Sequence, residues 1–474
     1  MSSPFPHRPF LSRRAMLQQC GLGFGHLALL GMLAGGARSV SAGVSAAHPL
    51  MTRPPVFPAR ARRVIFLFMH GGPSHVDTFD YKPLLLRDSG KPLPFAKPRI
   101  QFAQTGNLRK PAWSFRPHGQ SGAMVSELFP AVGAMADDIC FVHSIHGTNE
   151  AHGGALLKLH TGSDTFVRPS MGSWISYGLG TENQNLPSFI TINPSLGHGG
   201  VANWASAFLP AVHQGTPLGS SGTPVERATI NYLHDPDDNA ALQRLQLDLV
   251  QQMNQTHLAR TGPDSALEAR VESFELAFRM QTEAPELMRI DGESAATRQL
   301  YGLDDPETAS YGRQCLLARR FAEKGVRFVQ CTHGYWDSHE NLPREHARLA
   351  RQVDRPIAGL LQDLKARGLL DDTLVLWGGE FGRTPTVQGN DGRDHNPHAF
   401  TMWMAGGGVK GGIRHGQSDD YGFYAAADKV HVHDLHATLL ALLGLDHEQL
   451  TFRHAGRDFR LTDVHGNVVR EIFA

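Results

Sequence analysis

The sequence predicts an α/β fold built on a large, mostly parallel sheet, and three observations carry that expectation. Strand-like and helix-like segments alternate through the second half of the chain, from about Thr308 to Leu445. Such alternation implies right-handed crossovers between parallel strands. The first strand candidate, "RVIFLFM" at Arg63–Met69, is an unbroken apolar run apart from its first residue. A parallel strand covered on both faces has that pattern. Several strand candidates also end in Gly, His and acidic residues. In open α/β sheets, chemistry gathers beyond the carboxyl ends of the strands.

The elements follow in order. After Arg63–Met69 comes a second strand near Ile139 to His143, then a short helix within "EAHGGALLKLHTG" that ends at Gly162. Glycine just past the last helical residue is a stop signal, because it accepts the left-handed conformation. A third strand is expected around Ser188 to Ile192. Residues from about Pro236 to Met288 read as helical, with Leu242, Leu245, Leu249 and Met253 at three-to-four spacing. That stripe is expected to pack into the core. "TASYGRQCLLARRFAEKG" predicts a helix and "VRFVQCTHG" a strand. A helix from about Leu342 to Arg367 leads into the strand "DTLVLWGGE". "HAFTMWMAGGG" is a further strand and "VHVHDLHATLLALLGL" a late helix. The expected organisation is a targeting segment at 1–42, a linker at 43–62 and a single domain at 63–474. That domain carries a loop-rich insertion near 91–120 and a helical insertion near 236–288.

The targeting segment is read from "SRRAML", which sets Arg13 and Arg14 before an apolar, glycine-rich stretch, and from "SVSA", which ends at Ala42. It resembles a twin-arginine export signal, so the expected partner is the twin-arginine export machinery and the expected location periplasmic or secreted. The 474 residues carry 45 basic and 45 acidic side chains. Without residues 1–42, which hold Arg8, Arg13, Arg14, Arg38 and no acid, the formal charge is −4. Nothing in that balance suggests a nucleic-acid partner. No later stretch is long and apolar enough for a transmembrane segment in the mature chain. Cys140, Cys315 and Cys331 lie in apolar contexts and read as buried thiols rather than a disulfide framework.

Four strand ends are unusually polar. "MHGGPSHVDTFD" offers His70, Ser74, His75, Asp77 and Asp80, and "HSIHGTNEAH" offers His143, His146, Thr148, Asn149, Glu150 and His152. "CTHGYWDSHEN" offers His333, Asp337 and His339. "WGGEFGRTPTVQGNDGRDHNPHAF" offers Glu380, Arg383, Asp391, Arg393, Asp394, His395 and His398. Each cluster has a local reading: Gly71-Gly72-Pro73 as a tight turn, Asp337 and His339 as helix caps, Glu380 with Arg383 as an ion pair. Together, mixtures of carboxylate and imidazole at aligned strand ends suit a divalent ion such as Zn, Mn, Mg or Ca.

The segments "FLFMHGGPSHVDTFDYKP", "PSMGSWISYGLGTENQNLPSF", "YGRQCLLARR", "WDSHENL" and "GRDHNPHAFTMWMAGGGVKGG" resemble the domain of unknown function 1501 family (DUF1501). That family falls within the alkaline phosphatase/sulfatase-like superfamily. The resemblance implies a three-layer α/β/α sandwich, a divalent metal, and hydrolysis of phosphate or sulfate esters of small molecules or carbohydrates. As implied metal ligands it points to Asp77 (or His70), Asp337, His339, Glu380 and His395, with His398 as a substitute and Phe381 in the place of a second ligand. As catalytic groups it points to His152 in the nucleophile slot, Thr148 a turn earlier, and Arg383 (or Arg393) to hold an anionic oxygen. No cysteine lies in the Cys-x-Pro/Ala-x-Arg context of sulfatase maturation, so a formylglycine is not expected. The alternative is a non-catalytic binding or assembly protein that keeps the fold.

Overall fold

A computed structural model describes residues 49–96, 104–230, 240–262 and 264–474. The export-signal reading at 1–42 lies outside them. Among the described residues nine strands form the central sheet. They are β1 (Arg63–Met69), β2 (Ile139–His146), β3 (Phe189–Ile192), β4 (Thr216–Leu218), β5 (Phe328–His333), β6 (Thr373–Gly378), β7 (Phe400–Ala405), β8 (Ile413–His415) and β9 (Val430–His431). The order is β8-β2-β7-β6-β1-β5-β3-β4, with β9 also on β2. Strand β1 lies parallel to both β5 and β6 and is buried along its whole length, which explains its apolar run. Among the described strands of this sheet only β7 runs antiparallel, against β2 and β6. The fold is therefore mixed α/β with a large, mostly parallel sheet, as the alternation predicts.

Side chains of β1 alternate between two cores. Ile65, Leu67 and Met69 join one face with helices α5 (Ala309–Glu323) and α6 (Leu342–Ala366). Val64, Phe66 and Phe68 join the other face with helices α1 (His152–Thr161), α2 (Met171–Leu179) and α7 (Val432–Leu442). This period of two places a helical layer on each side of the sheet. Helix α1 ends where expected, with Gly162 at φ 75. Cys140, Cys315 and Cys331 are buried free thiols. Among the described residues no helix is long and apolar enough to cross a membrane.

The helical insertion is two helices, α3 (Ala240–Thr261) and α4 (Ser265–Met288). Here the core-packing expectation is overturned. Leu242, Leu245, Leu249 and Met253 are all exposed, Leu245 by 65% and Met253 by 63%. Helical spacing fixes which residues share a face, but not which face meets the body. In the 91–120 region, Phe115–His118 pairs with Ala123–Ser126 as a hairpin.

Candidate metal centre

The sheet order sets β1 between β5 and β6, so three carboxyl ends lie side by side. From β1 the chain continues into His70 and Gly71, from β5 into the loop carrying Asp337 and His339, and from β6 into Glu380. Helix α1, which follows β2, begins with His152. A two-residue antiparallel pairing of Gly382–Arg383 with His395–Asn396 returns His395 to the same edge. Gly71 is sterically required at φ +114, where a Cβ would lie 2.6 Å from the Asp337 backbone nitrogen.

Glu380 has a fully buried side chain, and both its oxygens accept from the Gly71 amide, at 2.9 and 3.1 Å. Its Oε1 also accepts from His152 Nδ1 at 2.8 Å. His395 Nδ1 donates to the Glu150 carbonyl at 2.6 Å, and His339 Nδ1 donates to Gln388 Oε1 at 2.6 Å. A neutral imidazole carries one N–H, so fixing it on Nδ1 leaves the lone pair on Nε2. All three Nε2 atoms converge on Asp337. His152 lies 3.1 Å from Oδ2, while His395 and His339 lie 3.0 and 2.9 Å from Oδ1. The His152 approach is off the hydrogen-bond line, so this nitrogen has a charge contact without a well-formed hydrogen bond. Lone pairs aimed at a carboxylate repel it unless a proton or a metal ion intervenes.

The electrostatics follow from that crowding. Burial pulls the His152 imidazole down, but the close contact with Asp337, the bond to Glu380 and the charges of both acids outweigh it and hold it up at about 9. Burial raises Asp337, yet His152, His339, His395 and Arg383 keep its carboxyl far below the usual range. Glu380 is likewise lowered, with burial opposed chiefly by His152 and then by His70. His339 is raised by its bond to Asp337, whereas burial wins for His395 and His70, which are lowered. One proton therefore collects on His152, between the two acids.

The structure thus brings Asp337, His339, His395, His152 and Glu380 together, with changed roles for some. Glu380 is not placed as a ligand, because its oxygens are committed behind His152. It orients the ring, as an outer carboxylate does for a metal-bound histidine. Asp77 does not join the group. It is buried against Arg393 at 2.6 Å and also accepts from Ser74 Oγ. Arg383 touches the centre from below and does not face an open anion site. It is fully buried, bonded to the Gly71, Gly72, Trp336 and Arg393 carbonyls and to Asp337 at 2.7 Å. Thr148 is exposed and donates to Asp164 at 3.3 Å. Phe381 stacks on His395 with centroids 4.3 Å apart and meets the His152 ring at 4.9 Å, so it packs both imidazoles. His398 packs on Phe423 and Tyr424 instead. Sequence reasoning missed His198, whose ring stacks on His152 at 4.8 Å. It follows β3 in "LGHGG", a strand end like the other four but without an acid to mark it.

No curated protein matches the chain in sequence. Among solved structures, the PsFucS1 sulfatase from Pseudoalteromonas sp. is 12% identical, with 81% of this chain and 68% of that chain covered and a TM-score of 0.34. The phosphonate monoester hydrolase SpPMH from Silicibacter pomeroyi is 12% identical, with 73% and 71% covered and a TM-score of 0.35. A protein in the alkaline phosphatase superfamily from Vibrio parahaemolyticus is 10% identical, with 89% and 75% covered and a TM-score of 0.34. At these TM-scores and identities the likenesses carry no argument about the site or its reaction. The model of the family described as Protein of unknown function (DUF1501) matches residues 61–473, and the chain belongs to that family.

Proposed function

We propose that the protein is an exported, metal-dependent hydrolase of phosphate or sulfate esters. The observation that carries this reading is the convergence of His152, His339 and His395 Nε2 on Asp337, each ring held from behind at Nδ1. The donor set fits a divalent ion, with three imidazole nitrogens and a carboxylate whose other ionic partner, Arg383, is buried. An ion held by Asp337, His339, His395 and His152 would polarise an ester oxygen and activate water. The chain's own residues do the rest. Glu380 keeps the Nδ1 proton of His152, which turns Nε2 toward Asp337. Arg383 fixes Asp337 against the β1 turn, and Phe381 excludes water from behind His395 and His152. The ester choice, for a small-molecule or carbohydrate substrate, rests on the superfamily resemblance of the sequence, and the periplasmic or secreted location on Arg13-Arg14 and the stretch after them.

Two observations favour the alternative, a non-catalytic binding or assembly protein. Thr148 is bonded to Asp164, and the three described cysteines are buried in the core. Metal analysis of the folded, exported chain, combined with assays on an aryl phosphate and an aryl sulfate, separates the two. The hydrolase reading expects bound divalent metal, turnover abolished by a chelator, and loss of both in Asp337→Ala. Metal retained without cleavage of either ester would leave the binding reading standing. A chain that takes up no divalent ion would end the hydrolase reading.

A further inference from the structure

Helix α3 lies outside both cores. Its neighbour α4 enters the core beside α5 and α6 through Leu276, Met280, Ala284 and Leu287, and no residue of α3 belongs to either core. A helix in a protein owes most of its stability to what packs on its apolar face. Yet Leu245, Leu249 and Met253, spaced by four, are all exposed. Between α3 and α4 runs a groove of about 310 Å³, lined by Leu247 and Val250 of one helix and Phe274, Ala277 and Phe278 of the other, with glutamines as its polar walls. Gln246 and Met253 each lie three or four residues from both Leu249 and Val250, so stripe and groove form one face.

That face is uncharged. From Ala240 to Ala259 the only acidic or basic side chains besides His257 are Arg244 and Asp248. They pair with each other at 2.6 Å, and Arg244 pairs with Glu275 of α4 at 2.8 Å. Depletion of charge is the compositional mark of an interface core. It suits a second copy of the same face, because two uncharged faces bring no like charges together. A lipid surface fits less well. An interfacial helix sets Lys and Arg along its polar face, whereas here Asp248 and Glu275 hold Arg244.

Symmetry and size agree with a second copy. Leu249 lies near the middle of the 22-residue α3, with Leu245 and Met253 four residues to either side. An antiparallel pairing about a two-fold axis at Leu249 sets that leucine against its copy, and Leu245 of each chain against Met253 of the other. At 1.5 Å per residue the helix is about 33 Å long, and α3 with α4 is about 20 Å wide. That outline covers roughly 650 Å², near the about 800 Å² per partner of a standard interface. We propose that the protein forms a two-fold dimer through α3, the α3–α4 face of one copy closing the same face of the other.

Sedimentation equilibrium of the full chain over a dilution series tests this. The wild type is expected as a dimer that dissociates on dilution. Leu249→Arg and Leu249→Glu each set like charges face to face at the axis, and each should weaken association more than about 100-fold. Mixing the two variants pairs opposite charges and should restore a dimer, which no loss of folding could mimic. Leu249 is exposed, so both variants leave the cores untouched, and circular dichroism checks the fold. A wild-type chain that stays single at every concentration overturns the proposal, including one that instead floats with phosphatidylglycerol vesicles. A dimer unmoved by either charge overturns this face as the contact. A mixture that stays monomeric overturns the pairing at Leu249.

Discussion

The Glu380 side chain is wholly buried, whereas Asp337 keeps 38% of its side chain open. That difference sorts two strand-end acids into two jobs. Buried and bonded to Gly71 and His152, Glu380 sets a ring orientation, while Asp337 presents its oxygens to three imidazoles. In Glu380→Gln one amide group faces His152 or Gly71 with a donor where an acceptor is needed. Metal affinity is expected to fall about 10–100-fold, the usual loss for an outer carboxylate partner, with the fold retained. Asp337→Asn, which removes the converging charge, is expected to lose more. Competition with a chelating dye measures both, and equal losses would mark Glu380 as a direct ligand. The sequence made the donor types and their strand-end positions legible, hence Asp337, His339, His395, His152 and Glu380 as a group. It could not show which lone pair points where. Arg383 and Arg393 read as anion binders because the partners that bury them, the Gly71 and Trp336 carbonyls and Asp77, lie far off in the chain. His198 was illegible because neither neighbour in "LGHGG" marks a site.

At the scale of elements, helix α6 shows what periodicity can and cannot supply. Leu349, Val353, Ile357, Leu360 and Leu364 recur at three-to-four spacing and are all buried, so the helix and its inner face were legible. Its cross-contact was not. Asp354 reaches the start of the short helix Pro130–Gly133 and accepts from the Ala131 and Val132 amides at 2.9 and 2.8 Å. Those bonds favour the charged form, but burial dominates and pushes its pKa up to about 6. The acid binds more protons folded than unfolded, so its contribution is full below the unfolded value of 3.8 and is lost as pH rises through about 6. Asp354→Asn cannot titrate. The variant's unfolding free energy relative to wild type should therefore shift in its favour by about 2 kcal/mol between pH 4 and pH 7, at about 1.4 kcal/mol per pKa unit. Denaturant titrations at the two pH values measure the shift. A difference independent of pH would show that Asp354 titrates alike in both states.

Over the whole molecule, stability resides in the two cores that sandwich the sheet; α4 joins one of them through Leu276, Met280, Ala284 and Leu287, whereas the apolar stripe of α3 lies outside both. Leu376 of β6 is 0% exposed and belongs to the core shared with α7, whereas Leu249 is 58% exposed on α3. Both are leucines in apolar patterns, and the pattern alone assigned both to the interior. The sheet strands were legible because a run buried on both faces has no polar side to misplace. An amphipathic helix has two faces and leaves open what covers each. Deleting buried methylenes costs transfer free energy plus a cavity term, so Leu376→Ala should lower the unfolding free energy by about 2–5 kcal/mol. Replacing Leu245, Leu249 and Met253 together with Gln removes no core packing, and in the dissociated chain each change should stay within about 0.5 kcal/mol. Urea unfolding of the two variants side by side, at a dilution where the chain is single, tests the contrast. A loss in the triple variant as large as that of Leu376→Ala would mean that the stripe packs within its own chain.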